Sequence, residues 1–180
     1  MDTKSIYDQL VHKRFSPRKF SDTEVEQSVI NEIMESARYT QSCFNEQPWR
    51  FVYSNKDNPE AYQNMLSCLN EKNQGWARSA PVLLLVVAKK TFTENGKPNK
   101  HAWYDTGAAV GIMTLKATSL NVYMHQMAGF DGKKAQQQLK IPEDYDPVAM
   151  AALGYLGNET KPDKERRSLD DIAHQGQWGQ

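Results

Sequence analysis

The sequence has no excess of charge of either sign. Its 180 residues include 22 basic and 22 acidic side chains, so the formal net charge at pH 7 is zero. Proteins that bind DNA or RNA usually carry a basic excess over a whole face. The composition therefore argues against a nucleic-acid partner. It leaves open why the stretch HKRFSPRKF (residues 12–20) concentrates four basic side chains.

Long hydrophobic runs are also absent. The most apolar segment, APVLLLVVA (residues 80–88), falls far short of the roughly 20 residues that a membrane-spanning helix needs. A secretory signal has a basic start followed by an apolar run, and the amino-terminal residues of this sequence do not show that pattern. These absences predict a cytoplasmic protein with no membrane partner.

Cysteine and histidine are scarce, and neither forms a metal-ligand pattern. Cys43 and Cys68 are far apart, and His101 with Asp105 supplies too few ligands for a metal site. The sequence also lacks a nucleophile elbow, a P-loop and a Gly-x-Gly-x-x-Gly fingerprint. We therefore expect no metal and no catalytic side chain. Any nicotinamide must be recognised without a Rossmann motif.

Hydrophobic periodicity predicts one α+β domain over residues 1–180. Helices are expected to open at Thr3 and at Ser21, where Ser21 and Glu24 form a capping-box pattern. Further helices are predicted over residues 59–68, 102–120 and 132–141. Strands are predicted over residues 50–54, 82–88, 121–130 and 146–157, and loops over 70–81 and 91–101. The run at 82–88 is typical of a central strand buried on both faces.

The basic stretch contains an alternating pattern. Pro17 disfavours helical geometry at Ser16, which predicts a turn or an extended segment. In an extended segment, Arg14, Ser16 and Arg18 share one face and can converge on one anion. The alternative is a solvated basic loop. Under the first interpretation Lys13 and Lys19 lie on the opposite face and are solvated.

Three other segments carry groups that suit a planar, phosphorylated ligand. In SCFNEQPWRF, Asn45 and Gln47 supply amides able to pair with a heterocycle edge. In HQMAGFDG, Ala128 and Gly129 allow close backbone approach. The tail adds the basic residues Lys164, Arg166 and Arg167. Each segment alone also fits a structural loop, a glycine turn or a solvated tail, and His125 fits a hydrogen-bonded structural residue better than an acid or base.

Taken in order, these segments resemble the nitroreductase family of FMN-dependent oxidoreductases. Residues 14–20 match its Arg-x-Ser-x-Arg-x-Phe signature, and residues 42–51 match its Ser-Ser-x-Asn-x-Gln-Pro-Trp-x-Phe element. Cys43 replaces the second Ser, and Gln41 stands where Pro is usual. WARSAPVLLLVVA, YDTGAAVGIMTLKATSLNV, HQMAGFD and VAMAALGYLGN resemble its later blocks, so the resemblance covers about residues 5–172.

The resemblance implies a central, mostly antiparallel sheet flanked by helices, in an intertwined homodimer with FMN at the interface. The polar tail (residues 158–180) would pack on the partner subunit. Arg14 would lie nearer the phosphate, and Arg18 nearer the N1/O2 edge, where its charge stabilises the reduced anionic flavin. The implied FMN-binding residues are Arg14, Ser16, Arg18, Lys164 and Arg166 of one subunit, Ser42, Asn45 and Gln47 of the other, Gln41 in the wall over the flavin, and Asn73, Ala128 and Gly129 beside the isoalloxazine ring.

The implied reaction is a ping-pong hydride transfer. NADH or NADPH reduces flavin N5, and a flat electron-poor acceptor such as a nitroaromatic or quinone is then reduced. The alternative is a flavin carrier or sensor, or an FMN enzyme that dehydrogenates or dehalogenates a dedicated substrate. The segment TFTENGKPNKHAW (residues 91–103) is the expected lid, with Phe44, Phe92 and Trp103 as stacking candidates that also suit ordinary core or surface positions. Gly107, Ala108 and Gly111 predict a helix packed closely on another, across the dimer.

Overall fold

The protein is described by a computed structural model that covers residues 5–179. Its sheet is antiparallel throughout, with strand order β1-β2-β4-β3. The strands are β1 (Trp49–Asn55), β2 (Val82–Lys89), β3 (Val122–Met127) and β4 (Tyr145–Tyr155). The α-helices of the described residues are α1 (Ile6–Lys13), α2 (Gln27–Ser36), α3 (Pro59–Cys68), α4 (Glu71–Ala77), α5 (Ala102–Ser119) and α6 (Gly132–Gln138). The predicted α+β class is confirmed.

Strand β2 separates the two layers of the core. Side chains alternate between faces along a strand. Leu83, Leu85 and Val87 accordingly pack in a cluster with residues of α3 and α6. Val82, Leu84 and Val86 pack in a second cluster with residues of α2 and α5. Residues 82–88 are all at most 2% exposed, so the expectation of a central strand buried on both faces is confirmed.

Helix α5 buries one side and exposes a stripe of small residues on the other. Val110, Met113 and Ala117 are buried against the sheet and α2. Gly107 and Gly111 are exposed, and a Cβ built at either would meet nothing within 4 Å. Among residues 5–179, therefore, nothing makes the close packing predicted for this stripe.

The predicted capping box at Ser21 is wrong. Helix α2 begins at Gln27, and the Ser21 hydroxyl instead contacts Thr23. A contact with the end of strand β4 is the reason. The Ser21 N–H donates to the Tyr155 carbonyl at 2.9 Å, and this bond keeps the chain extended at the position where the helix was expected to begin. The preceding helix, α1, does have a capping box, formed by Ser5 and Asp8. The start predicted for this helix, Thr3, lies outside the described residues.

The segment predicted as a loop over residues 70–81 contains α4. Asn70 caps this helix, because its side chain accepts the Asn73 N–H. An Asn followed by an acidic residue is a helix-start signal, but Gly75 and the shortness of the helix obscure the apolar period. Among residues 5–179, no helix combines the length and the apolarity needed to cross a bilayer.

Candidate functional site

The first two residues of the basic stretch end α1; from Arg14 onward the chain is extended, and its side chains alternate as the sequence suggested. Phe15, Pro17 and Phe20 are buried, and the Phe15 ring packs edge-on against Tyr123 with centroids 5.1 Å apart. Arg14, Ser16 and Arg18 therefore turn away from the core.

Lys13 and Lys19 differ from each other. Lys13 donates to the Asn121 side chain, so the expectation that it is merely solvated is wrong. Lys19 is exposed, and its backbone pairs with the tail.

The chain beyond β4 is joined to this stretch residue by residue. Phe20 bridges Leu156, and the Gly157 N–H donates to the Lys19 carbonyl at 3.0 Å. A Cβ on Gly157 would lie 2.9 Å from backbone atoms of Phe20, so only glycine allows this close approach. One carboxylate oxygen of Glu159 then accepts the N–H groups of Arg18 and Lys19, each at 2.7 Å.

This pairing brings the tail beside the basic stretch and creates two adjoining pockets. The first, here called the basic pocket, has a volume of about 390 Å³. Its ionic lining consists of Arg14, Lys161, Lys164 and Arg166 against the single carboxylate of Asp163. The second, the inner pocket, has a volume of about 400 Å³. It is lined by Ser16, Arg18, His125, Glu159, Pro162 and Lys164.

The two pockets share Ser16, Pro162 and Lys164. The structure thus unites Arg14, Ser16 and Arg18 with Lys164 and Arg166, which are far apart in the sequence. Lys161 also lines the basic pocket, and its ammonium group donates to the His12 carbonyl. Sequence reasoning missed Lys161, although it lies in the same basic run, KPDKERR.

His125, in strand β3, holds the basic stretch through a hydrogen bond to its backbone. Its Nδ1 donates to the Pro17 carbonyl at 2.7 Å, and its ring lies 4.4 Å from the Trp76 ring. Burial lowers the pKa of His125, the Pro17 bond and Glu159 oppose that shift, and Arg18 and Lys164 add to it. The result is a neutral imidazole at pH 7, as expected for a structural histidine.

The Gly129 turn is held by two asparagines. Its carbonyl accepts from the Asn70 N–H and from the Asn73 side chain, both at 3.0 Å. The Asn73 oxygen accepts from Trp76 Nε1 at 3.2 Å, which links the turn to the ring beside His125. A Cβ on Gly129 would lie 2.3 Å from the Asn70 side-chain nitrogen. Asn73 therefore fixes the position of the Gly129 backbone, and the preceding Ala128 is exposed.

The predicted amide residues lie in a strained loop, residues 41–48, here called the amide loop. Phe44, Asn45 and Gln47 have φ angles of 52°, 56° and 50°, in the left-handed region that non-glycine residues rarely adopt. Such strain costs roughly 1–3 kcal/mol per residue and is concentrated at functional sites. The Ser42 hydroxyl accepts the Gln47 N–H at 3.0 Å, which closes the loop. Gln41, the first residue of the loop, is exposed.

Buried Asp105 anchors the amide loop to α5. The Asp105 carboxylate is 5% exposed and accepts the Cys43 N–H at 2.9 Å. Asp105 lies in the first turn of α5, the helix whose opposite side carries the exposed small-residue stripe, so the amide loop is fastened to that helix. The residues Gln41, Ser42, Asn45 and Gln47 line neither the basic nor the inner pocket.

Glu46 fastens the polar excursion (residues 91–101) to the amide loop. Its carboxylate accepts from the Thr93 N–H at 2.9 Å and the Thr93 hydroxyl at 2.6 Å, and Lys89 lies 3.5 Å away. Burial raises the pKa of Glu46, but the Thr93 hydrogen bonds and the Lys89 charge outweigh it and hold that pKa below its ordinary value. Glu46 is therefore ionised at neutral pH, and the excursion is anchored.

The anchored excursion forms an aromatic pocket of about 340 Å³. Phe44 and Phe92 meet edge to face with centroids 5.8 Å apart, and Lys97 and Pro98 contribute to the lining. The Phe44 side chain is nonetheless 89% exposed. Trp103 is not part of this pocket, and its indole N–H donates to Asp146 at 3.2 Å.

The chain is similar to several known proteins. A solved structure described as an oxidoreductase containing FMN is similar with a TM-score of 0.89 and 30% identity, covering 99% of this chain and 95% of that chain. The NADH dehydrogenase of Thermus thermophilus is 23% identical over 83% of this chain and 86% of its own length. Human iodotyrosine deiodinase 1 is 23% identical over 91% of this chain and 66% of its own length.

The family profile gives the assignment. The profile of the Nitroreductase family matches residues 11–72 and 53–155, which together span most of the chain and include the basic stretch, the amide loop and the whole sheet. This chain therefore belongs to the nitroreductase family, and it is an oxidoreductase.

Proposed function

We propose that the protein is a homodimeric, FMN-dependent NAD(P)H oxidoreductase that reduces flat, electron-poor acceptors such as nitroaromatics or quinones. The observation that carries the proposal is the convergence of Arg14, Ser16, Lys164 and Arg166 on one pocket. Family membership and the similarity to an FMN-containing oxidoreductase support the same cofactor.

The residues of the basic and inner pockets fit FMN. A phosphate monoester is dianionic, and guanidinium, ammonium and hydroxyl donors are the groups that bind it best. Arg14, Ser16, Lys164 and Arg166 would hold the phosphate in the basic pocket. Arg18, in the adjoining inner pocket, would place a positive charge at the pyrimidine edge.

The remaining predicted ligands imply a second copy of the chain. Ser42, Asn45 and Gln47 lie in the amide loop, outside both pockets, and Asp105 fastens this loop to the helix that carries the exposed Gly107 and Gly111. Exposed glycines on a helix allow a partner helix to approach closely at those positions. A partner packed on this stripe would add its amide loop to the flavin held by the first subunit.

Bound FMN would supply a carrier that accepts two electrons as hydride at N5 and delivers them to an acceptor. The protein's part is position and charge. The Gly129 turn, fixed by Asn70 and Asn73, would present backbone N–H groups to the flavin edge. No side-chain acid, base or nucleophile is required. The names of relatives, such as the Thermus NADH dehydrogenase, support a nicotinamide as reductant.

The aromatic pocket is the proposed acceptor site, and replacing Phe44 with Ala tests it. We expect the KM for a nitroaromatic to rise about fivefold, because an aromatic pair contributes roughly 1 kcal/mol beyond its buried area. FMN affinity should stay within about twofold of wild type, because this ring is not among the proposed flavin ligands.

The control for Phe44→Ala is Trp178→Ala. Trp178 is about as exposed, at 90%, and also pairs with a neighbouring ring, that of His174. Steady-state kinetics of both variants against the same acceptor give the answer. A KM unchanged by Phe44→Ala, or raised equally by Trp178→Ala, contradicts the proposed acceptor site.

A second candidate function is reductive dehalogenation, which the similarity to human iodotyrosine deiodinase 1 favours. The protein reconstituted with FMN should be treated with NADH or NADPH without oxygen, and then with a nitroaromatic or an iodinated phenol. Rapid loss of the oxidised flavin's colour, followed by its return on adding the nitroaromatic, supports the reductase. Slow reduction by both nicotinamides with iodide release supports the dehalogenase. A protein that takes up no FMN contradicts both.

A further inference from the structure

We infer that Glu159 is the positioning residue of the anion site: its reach sets the geometry in which the tail cations join Arg14. This inference rests on the proposed function, since it assumes that the basic pocket binds the FMN phosphate. It assigns a role to a carboxylate in a cluster where only cations are expected.

The contacts of Glu159 differ from those of an ordinary surface glutamate. One of its carboxylate oxygens accepts two consecutive backbone N–H groups, those of Arg18 and Lys19, at 2.7 Å each. The Glu159 N–H donates to the Gly157 carbonyl at 2.8 Å, which aims the side chain back at the basic stretch. Charge-assisted bonds of this length are about twice as strong as neutral ones.

Glu159 lies at the end of the paired region. Before it, residues 156 and 157 pair with the end of the basic stretch. After it, residues 160–167 are exposed and form neither helix nor strand. Those residues nevertheless supply Lys161, Lys164 and Arg166 to the basic pocket. Because no helix or strand holds them, their position depends on the contacts at the start of the tail: the two bonds that Glu159 accepts and the bond from the Lys161 ammonium group to the His12 carbonyl.

Glu159 also restrains the arginine of the inner pocket. Both Glu159 and Arg18 line that pocket, and the carboxylate binds the backbone N–H of Arg18. The same contact therefore orders Arg18 and the start of the tail. Release of Glu159 would loosen the two sides of the site together.

Reach and charge can be separated by substitution. Glu159→Asp keeps the charge but shortens the side chain by one methylene, so that it no longer spans to both N–H groups. Glu159→Gln keeps the reach and an acceptor oxygen but removes the charge. If Glu159 acts by position, the Asp variant is the damaged one. If it acts only by charge, the Gln variant is the one that changes.

The test measures the affinity of each variant for FMN and for riboflavin, which lacks the phosphate. We expect Glu159→Asp to weaken FMN binding about tenfold and riboflavin binding by no more than about threefold, because riboflavin feels only the loosened Arg18 whereas FMN also loses the tail cations around its phosphate. Glu159→Gln should stay within about threefold of wild type for both ligands. Glu165→Asp, a change in an exposed glutamate of the same tail, is the matched control.

Limited trypsin digestion of the flavin-free protein gives a readout that does not depend on the cofactor. We expect Glu159→Asp to be cut faster than wild type at Lys164 and Arg166. Wild-type FMN affinity in Glu159→Asp, an equal loss of riboflavin affinity, or a loss in Glu159→Gln as large as in Glu159→Asp overturns the inference. Failure of the wild-type protein to bind FMN defeats the proposed function instead, while the digestion still tests whether Glu159 holds the tail.

Discussion

Replacing Arg14 with Ala is expected to weaken FMN binding about 10- to 100-fold. Arg14 lines the basic pocket together with Lys161, Lys164 and Arg166. A hydrogen bond to a charged group contributes roughly 1.5–3 kcal/mol, which corresponds to this range. Quenching of flavin fluorescence on titration with the flavin-free protein measures the affinity. Riboflavin affinity should change little.

The control for Arg14→Ala is Arg167→Ala. It removes the same side chain and the same charge from the tail, but Arg167 lines neither pocket. We expect this variant to bind FMN within about twofold of wild type, since an exposed charge has little effect at a distance in salt. Equal losses in both variants would mean that the basic cluster attracts FMN only by its overall charge.

Replacing Gly111 with Glu is expected to convert the protein into a monomer that binds FMN about 100-fold more weakly. A side chain at this position meets nothing within 4 Å in the single chain, so the subunit itself should fold normally. In the proposed dimer the same side chain would place a charge between closely packed helices. FMN would then lose two or three hydrogen bonds from the partner's amide loop, each of roughly 1 kcal/mol.

The matched control is Gly75→Glu. Gly75 is also an exposed helical glycine, and a Cβ there also meets nothing within 4 Å. Sedimentation and flavin titration should show this variant to be indistinguishable from wild type. A Gly111→Glu protein that sediments as a monomer yet keeps its FMN affinity would contradict a shared site.

The sequence predicted those parts of the fold whose cause is local. The apolar run at residues 82–88 forms a buried strand because it lacks polar positions on either face. Helix α3 was predicted with its observed bounds because Asn58 and Pro59 mark its start. The extended basic stretch follows from Pro17. In each case the decisive signal lies within the element itself.

The errors arose where distant contacts override local preference. Ser21 has the spacing of a capping box, but its N–H is taken by Tyr155 at the end of β4. The Asn73 amide, predicted to lie beside the flavin, bonds Gly129 and Trp76, and no local pattern indicates these contacts. The decisive partners, Tyr155 and Gly129, are distant in sequence, so no local pattern could identify them.

The candidate site shows the same division. Spacing placed Arg14, Ser16 and Arg18 on one face but left a solvated loop as the alternative, and the family resemblance is what assigned them to FMN. Their convergence with the tail cations depends on pairing across the ends of the chain. Glu159, which makes that pairing, carries no motif and was missed. The positive φ angles of the amide loop were also missed, because a residue such as Phe44 does not favour that conformation.

The most direct test of the shared site is to mix two defective variants. Arg14→Ala damages the basic pocket, and Asn45→Ala damages the amide loop, so that neither homodimer should hold FMN well. After unfolding and refolding together, about half of the dimers should be mixed, and each mixed dimer has one intact site. The account predicts that about one quarter of all sites recover wild-type FMN affinity. No recovery on mixing would show that Arg14 and Asn45 serve the flavin from the same subunit, and would contradict the proposed arrangement.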